Sequence, residues 1–161
     1  MRHGKTERNL LMDETDRRIL RMVQAHPDLP IADLAEKVGL SHTPCWRRLK
    51  KLEADGIIAG RAVLLDAKQL GLMVTVFAHV RLKQHDEATL DALEQAVCLR
   101  PEIVESYSMS GTSDYVLRVV AESIEAYERF LKKTLLHLPG VSSINSSFAL
   151  KTIKMTTVLP V

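Results

Sequence analysis

Cysteine is scarce in this chain: Cys45 and Cys98 are the only two, far apart and in no CxxC pair. A structural disulfide is not expected, in keeping with a reducing compartment. Long hydrophobic runs are absent, with nothing near the ~20 apolar residues that a membrane-spanning helix needs. The first residues, MRHGKTERNLLM, lack the apolar core of a secretory signal, and a soluble, cytoplasmic chain is the expectation. Six histidines (His3, His26, His42, His79, His85, His137) show no HxH, HxxxH or HExxH spacing, so no pair is set on one face to hold a metal. Nor is there a nucleophile with its base, an acid–base pair or a phosphate-binding loop. Neither a cofactor nor catalysis is expected.

Excess charge is also scarce, at +2 over 161 residues, which argues against strong attraction to polyanions by the chain as a whole. Its distribution matters more. Residues 1–60 carry eleven Lys or Arg against nine Asp or Glu, whereas residues 61–161 carry eleven of each. Within 42–54 there are four basic residues and one acid, Glu53, so electrostatic binding to nucleic acid would be local.

That basic stretch sits in a recognisable layout. Asp13 is a good N-cap for a helix over 13–25 carrying Ile19, Leu20 and Val23, stopped by His26-Pro27. Pro30 opens a second helix with Ile31, Leu34, Ala35 and Val38 on one stripe, and Gly39-Leu40-Ser41 makes the turn. Ser41 or Thr43 caps a third helix, with Pro44 in its first turn. Cys45, Leu49 and Leu52 recur at i, i+4 and i+7 and face inward. Ser41, His42, Thr43, Pro44, Trp46, Arg47, Arg48, Lys50 and Lys51 are left for the outer face and its N-terminal edge, as candidate DNA contacts. Arg48 could equally make an intramolecular ion pair, Trp46 could pack as core, and the basic face could be merely solvated. Residues 57–64, broken by Gly60, suggest two short strands of a wing. Residues 1–60 thus predict a winged helix-turn-helix, and 61–72 a connecting strand and turn.

Residues 73–161 change period. Val74, Val76, Ala78, Val80 and Leu82 alternate with polar residues, which predicts a half-buried strand over 73–83. Asp86 caps a helix carrying Leu90, Leu93 and Val97. Strands near 102–109 and 115–121 follow, joined by Ser110-Gly111-Thr112-Ser113-Asp114. Ser123 caps a helix with a continuous stripe of Ile124, Tyr127, Leu131, Leu135 and Leu138, and 141–150 returns as a strand. The order βαββαβ predicts a ferredoxin-like α+β domain with helices on one sheet face. Phe77 and Met73 point to the other, and self-association is the natural way to cover it. In the 110–114 loop, Gly111 permits positive φ, backbone N–H groups can receive a carboxylate and Asp114 can pair with an ammonium. The plainer alternative is a tight turn in which Asp114 caps its own backbone.

The chain resembles the Lrp/AsnC (feast/famine) transcriptional regulators over nearly its whole length. The matching residues are Asp13, Asp16 and Ile19-Leu20; Asp33-Leu34-Ala35; Gly39-Leu40-Ser41; Arg48, Leu52-Glu53 and Gly56-Ile57-Ile58; Gly111 to Asp114; and Leu138-Pro139-Gly140-Val141. Thr43-Pro44-Cys45 looks like the leucine-responsive branch. The resemblance implies a homodimer, often a tetramer or octamer, binding double-stranded operator DNA through paired helix-turn-helix units. It also implies an amino-acid effector held between C-terminal (RAM-type) domains, in the region that Ser110 to Asp114 match. An architectural DNA-compacting protein is an alternative. Siroheme decarboxylases share this two-domain fold and would use His79, His85 or His137, but have no use for a basic reader helix.

Overall fold

The computed structural model describes residues 12–161, which form two compact units. The first comprises residues through Leu64 together with Lys154–Val161, and the second Leu65–Ile153. The expected C-terminal domain over 73–161 therefore needs a correction at its end: residues 154–161 pack with the helix-turn-helix.

In the first unit, α1 (Glu14–Ala25) starts where the Asp13 carboxylate accepts the Asp16 amide at 2.8 Å. Next come α2 (Ile31–Lys37) and α3 (His42–Ala54). Between them, the Leu40 amide donates to the Ala35 carbonyl and the Gly39 amide to that of Glu36, a Schellman turn closed by Gly39 at φ +70. Ser41 holds the N-cap position of α3, but its side chain makes no capping bond. Ile19, Leu20, Leu34, Ala35, Val38, Cys45, Leu49 and Leu52 form the core, on the inward phases expected of each helix. Cys45 is a core residue, and burial pushes its thiol up.

The strands expected over 57–64 and within 61–72 are the main departure. Residues 57–64 form no strand, and neither does the expected connecting segment 61–72, which ends in a turn. Val63 is 86% exposed. Apolar residues flank Gly60 on both sides in the sequence, but a strand needs a ladder partner, and within one chain the described residues supply none.

In the second unit, β1 (Val74–Leu82), α4 (Glu87–Cys98), β2 (Ile103–Ser108), β3 (Tyr115–Ala121), α5 (Ile124–Lys133) and β4 (Val141–Phe148) follow the predicted βαββαβ order. The sheet order is β2-β3-β1-β4, antiparallel throughout. Val76, Ala78, Val80 and Leu82 turn inward, against Leu93 and Val97 of α4 and Tyr127 of α5. Tyr127 shares a 2.5 Å hydrogen bond with Ser146 and meets Phe148 edge-on. The opposite face carries Phe77, His79, Arg118, Tyr107 and Asn145, with Phe77 36% exposed. The last helix is shorter than its apolar stripe suggests. It breaks at Thr134 (φ −128, ψ −63), a 3-10 turn over Leu135–His137 carries Leu135 into the core, and Ile124 is left exposed.

Gly140 occupies a position that no other residue fits. Its φ is +72, and a Cβ there would lie 2.2 Å from the Thr89 Cγ2. Thr89 cannot simply swing away, because its hydroxyl donates to Asp86 at 2.7 Å and its amide to the same carboxylate at 3.0 Å. Gly140→Ala is expected to lower stability by about 2–3 kcal/mol, combining left-handed strain and overpacking. Urea denaturation followed by circular dichroism measures it; an unchanged midpoint would contradict the assignment.

Candidate nucleic-acid interface and effector loop

The four basic residues of α3 do not have equal freedom. Arg48 Nη1 bonds Asp13 at 2.7 Å and Asp16 at 2.8 Å, so it ties α3 to the start of α1. Its guanidinium is pushed above its ordinary value, first by the Asp16 hydrogen bond and then by that of Asp13. The Asp13 carboxyl is held below the usual range, first by the Asp16 amide and then by Arg48. Of the two roles open to Arg48 on sequence grounds, its side chain adopts the intramolecular one. Neither Asp13 nor Asp16 is among the contacts expected from sequence; three residues apart at the start of α1, their carboxylates share one side of the helix and meet Arg48 together.

Lys50 pairs with Glu53 at 2.8 Å, and Arg61 approaches the same carboxylate at 3.6 Å. The Lys50 hydrogen bond leads in holding the Glu53 carboxyl down. Arg47 and Lys51 are exposed and, among the described residues, have no ion-pair partner. With Thr43 and Pro44 they occupy the side of α3 away from Cys45, Leu49 and Leu52. Ser41 and His42, both exposed, sit at the helix start. Trp46 is 47% exposed and borders a cavity of about 280 Å³ with Val23, His26, Pro27 and Leu34. It lies on the flank shared with Lys50 and Glu53, between core and outer surface.

The β2–β3 loop brings Ser110, Gly111, Thr112, Ser113 and Asp114 together at one end of the sheet. Gly111 has φ +143, a backbone setting that L side chains rarely adopt. Asp114 Oδ2 accepts the Leu82 amide at 2.7 Å, and its Oδ1 lies 2.8 Å from His85 Nε2. Arg81 Nε donates to the Thr112 carbonyl at 2.6 Å. Asp114 thus faces back onto β1 and its exit, and its contact with His85 was not anticipated. The two are 29 positions apart, and no spacing pattern in the sequence links them.

Among the described residues, no three His, Cys, Asp or Glu side chains gather as a metal site, and no helix is long and apolar enough to cross a membrane.

Residues 12–59 match the family described as winged helix-turn-helix DNA-binding, and residues 75–159 match the Lrp/AsnC ligand binding domain. The chain is 38% identical over 151 residues to the DNA-binding transcriptional activator DecR of Escherichia coli K12, covering 94% of this chain and 99% of that protein. Among solved structures, an AsnC family transcriptional regulator from Agrobacterium tumefaciens is 46% identical, with a TM-score of 0.87 and coverage of 92% and 97% of the two chains. A transcriptional regulator of Neisseria meningitidis, solved in complex with L-Met, is 36% identical with the same TM-score of 0.87, covering 92% of this chain and 96% of that one.

Proposed function

Because this chain belongs to the Lrp/AsnC family of transcriptional regulators, we propose that α3 reads the major groove of operator DNA while the loop at 110–114 takes an amino acid that modulates the reading. The observation that carries the DNA half is the division of labour on α3. Arg48 is held by Asp13 and Asp16, while Arg47 and Lys51 stand exposed without an ion-pair partner among the described residues. Arg47 and Lys51 reach base edges or phosphates, Lys50 joins them by releasing Glu53, and Ser41, His42, Thr43 and Pro44 approach the backbone at the helix start. Arg48 acts one step back by fixing the helix.

A single reader with so little excess charge binds weakly, and two copies at fixed spacing multiply the effect. The sheet face bearing Phe77 and Tyr107 supports self-association into a dimer or higher oligomer. The amino-acid half is supported by the polar, Gly-containing loop and by the L-Met complex of the Neisseria relative. Cytoplasmic residence follows from operator binding. The relatives are regulators, so the enzymatic alternative on this fold is set aside.

Footprinting on the DNA upstream of the protein's own gene, with and without each amino acid, tests reader, assembly and effector together. Protection in half-sites spaced by multiples of about 10 base pairs, altered by at least one amino acid, is the expected result. No protection at any concentration would sink the DNA reading, and a pattern indifferent to all amino acids would sink the effector reading.

Trp46 supplies an optical check. Half exposed on the flank of α3, it is expected to be quenched or shifted on binding a cognate operator. An unchanged emission spectrum at saturating DNA would remove it from the contact surface.

A further inference from the structure

The one acid of α3 stands where the helix itself gains least from it. Glu53 lies in the last turn, where the carbonyl end of the helix dipole disfavours an anion. Its i, i+3 pairing with Lys50 runs in the less favourable order, base before acid. Each of its oxygens nonetheless meets a cation. Oε2 accepts from Lys50 Nζ at 2.8 Å, and Oε1 lies 3.6 Å from Arg61 Nη2, which arrives from the chain beyond the helix. The Lys50 and Arg61 side chains are 54% and 53% exposed against 26% for Glu53, so the carboxylate is the sheltered member of the three and the cations stand mostly in solvent. The Glu53 carboxyl is held below its usual range, first by the Lys50 hydrogen bond, and stays ionised at neutral pH.

Around α3 these groups occupy the flank of the exposed face. Trp46, Lys50 and Glu53 recur at i, i+4 and i+7, beside the line of Thr43, Arg47 and Lys51. A helix lying in the major groove turns its central line to base edges and its flanks to the phosphates along the groove walls. We propose that Glu53 competes with DNA phosphates for Lys50 and Arg61, so that Arg61 joins the DNA-contacting surface and Glu53 sets how tightly the reader holds any duplex. This rests on the reading of α3 as the DNA-reading helix. In the free protein the two cations and the carboxylate together carry a single positive charge. On DNA both cations turn to phosphate, which bears the same charge as the carboxylate and also releases condensed counterions when met. The internal pairs, being largely exposed, cost little to break. Because the competitor is phosphate, the effect is the same on operator and on other sequences.

The test is fluorescence anisotropy of the full chain with the duplex upstream of its own gene and with a scrambled duplex of equal length, at several salt concentrations. The proteins are the parent, Glu53→Gln, Arg61→Gln, and Lys50→Gln/Arg61→Gln with and without Glu53→Gln. Glutamine keeps the shape of glutamate and a hydrogen-bond acceptor but not the charge. Glu53→Gln is expected to bind both duplexes about two- to ten-fold more tightly, the range of two exposed ion pairs. Arg61→Gln is expected to bind both more weakly, with the slope of log affinity against log salt reduced in magnitude by about one. Without Lys50 and Arg61, the gain from Glu53→Gln should nearly vanish. A gain that persists in full in that background means that the carboxylate merely repels DNA, and overturns the competition. An Arg61→Gln chain with the parent's affinity and slope overturns the phosphate contact. If the parent binds and Glu53→Gln binds no more tightly, the proposal is wrong while the DNA reading stands; if the parent binds neither duplex, both fall. Thermal melting of each variant checks its fold, and should Glu53→Gln unfold, the Arg61→Gln slope decides alone.

Discussion

Arg47→Ala is expected to weaken operator binding by about 5- to 150-fold per reader helix if its guanidinium pairs with a guanine edge, the range of one bidentate contact worth ~1–3 kcal/mol. A dimer loses the contact twice, so the two free energies add to the extent that the half-sites act independently. If Arg47 meets a phosphate instead, the loss will be similar on operator and scrambled DNA, and the slope of log affinity against log salt will fall by about one for each contact. Anisotropy titrations on both DNAs at several salt concentrations separate the two cases. Equal affinity of parent and variant on either DNA would remove Arg47 from the interface. The control is Arg48→Ala. Arg47 makes no ion pair among the described residues, so its loss leaves the melting temperature in place. Arg48 bridges α3 to Asp13 and Asp16, so its loss lowers the melting temperature as well as the affinity. The acid side follows from the same contacts. The Asp13 carboxyl is held below its ordinary value, so its contribution is intact above the ordinary carboxylate range and fades as pH falls through the depressed one.

The second large effect is on folding. Ile19 is fully buried where α1 meets Leu34, Leu49 and their neighbours. Ile19→Ala is expected to cost about 2–5 kcal/mol, combining lost transfer free energy and the cavity left behind. The reader unit has roughly 60 described residues, and at ~0.05–0.15 kcal/mol per residue its whole stability is of the same order. The substitution should unfold the reader unit at moderate temperature while the sheet unit, whose core of Val76, Ala78, Val80 and Leu117 contains no residue of α1, stays folded. Calorimetry should show an early transition that is lost or shifted sharply down and a later one that is kept. A single transition displaced by a degree or two would refute the independence of the two cores.

Local features of the sequence predicted local structure well. Asp13, Asp86 and Ser123 cap the helices that follow them, and each side chain accepts an amide three residues on. The inward phase of Cys45, Leu49 and Leu52 and the alternation along β1 were legible because helical and strand periods are written into consecutive residues. What was not legible depended on distant partners. Arg48 finds carboxylates 32 and 35 positions away, and Asp114 finds an amide and an imidazole 32 and 29 positions away. Nothing in the spacing of either residue announces such a partner. The strands expected over 57–64 erred in the opposite direction, since their apolar residues are local but the ladder they require is not. The stripe Ile124, Tyr127, Leu131, Leu135 and Leu138 misled for a third reason: a 3-10 turn can continue an apolar face after the helix has ended, and Leu135 is buried by that route.

Residues 154–161 carry a practical consequence for recombining such regulators. The Gln24 side chain holds the Leu159 backbone on both sides, its Nε2 donating to the carbonyl at 3.2 Å and its Oε1 accepting the amide at 2.7 Å. Arg21 Nη1 donates to the Val161 carbonyl at 3.1 Å, and Val161 packs against the core of Ile19 and Leu20. The reader is therefore a discontinuous module. A chimera cut once, after Leu64, would join a foreign sensor to a helix α1 stripped of its own tail, with Gln24 facing a stranger's backbone. A transplant of DNA specificity that keeps the donor's fold intact needs two crossovers, the second just before Lys154.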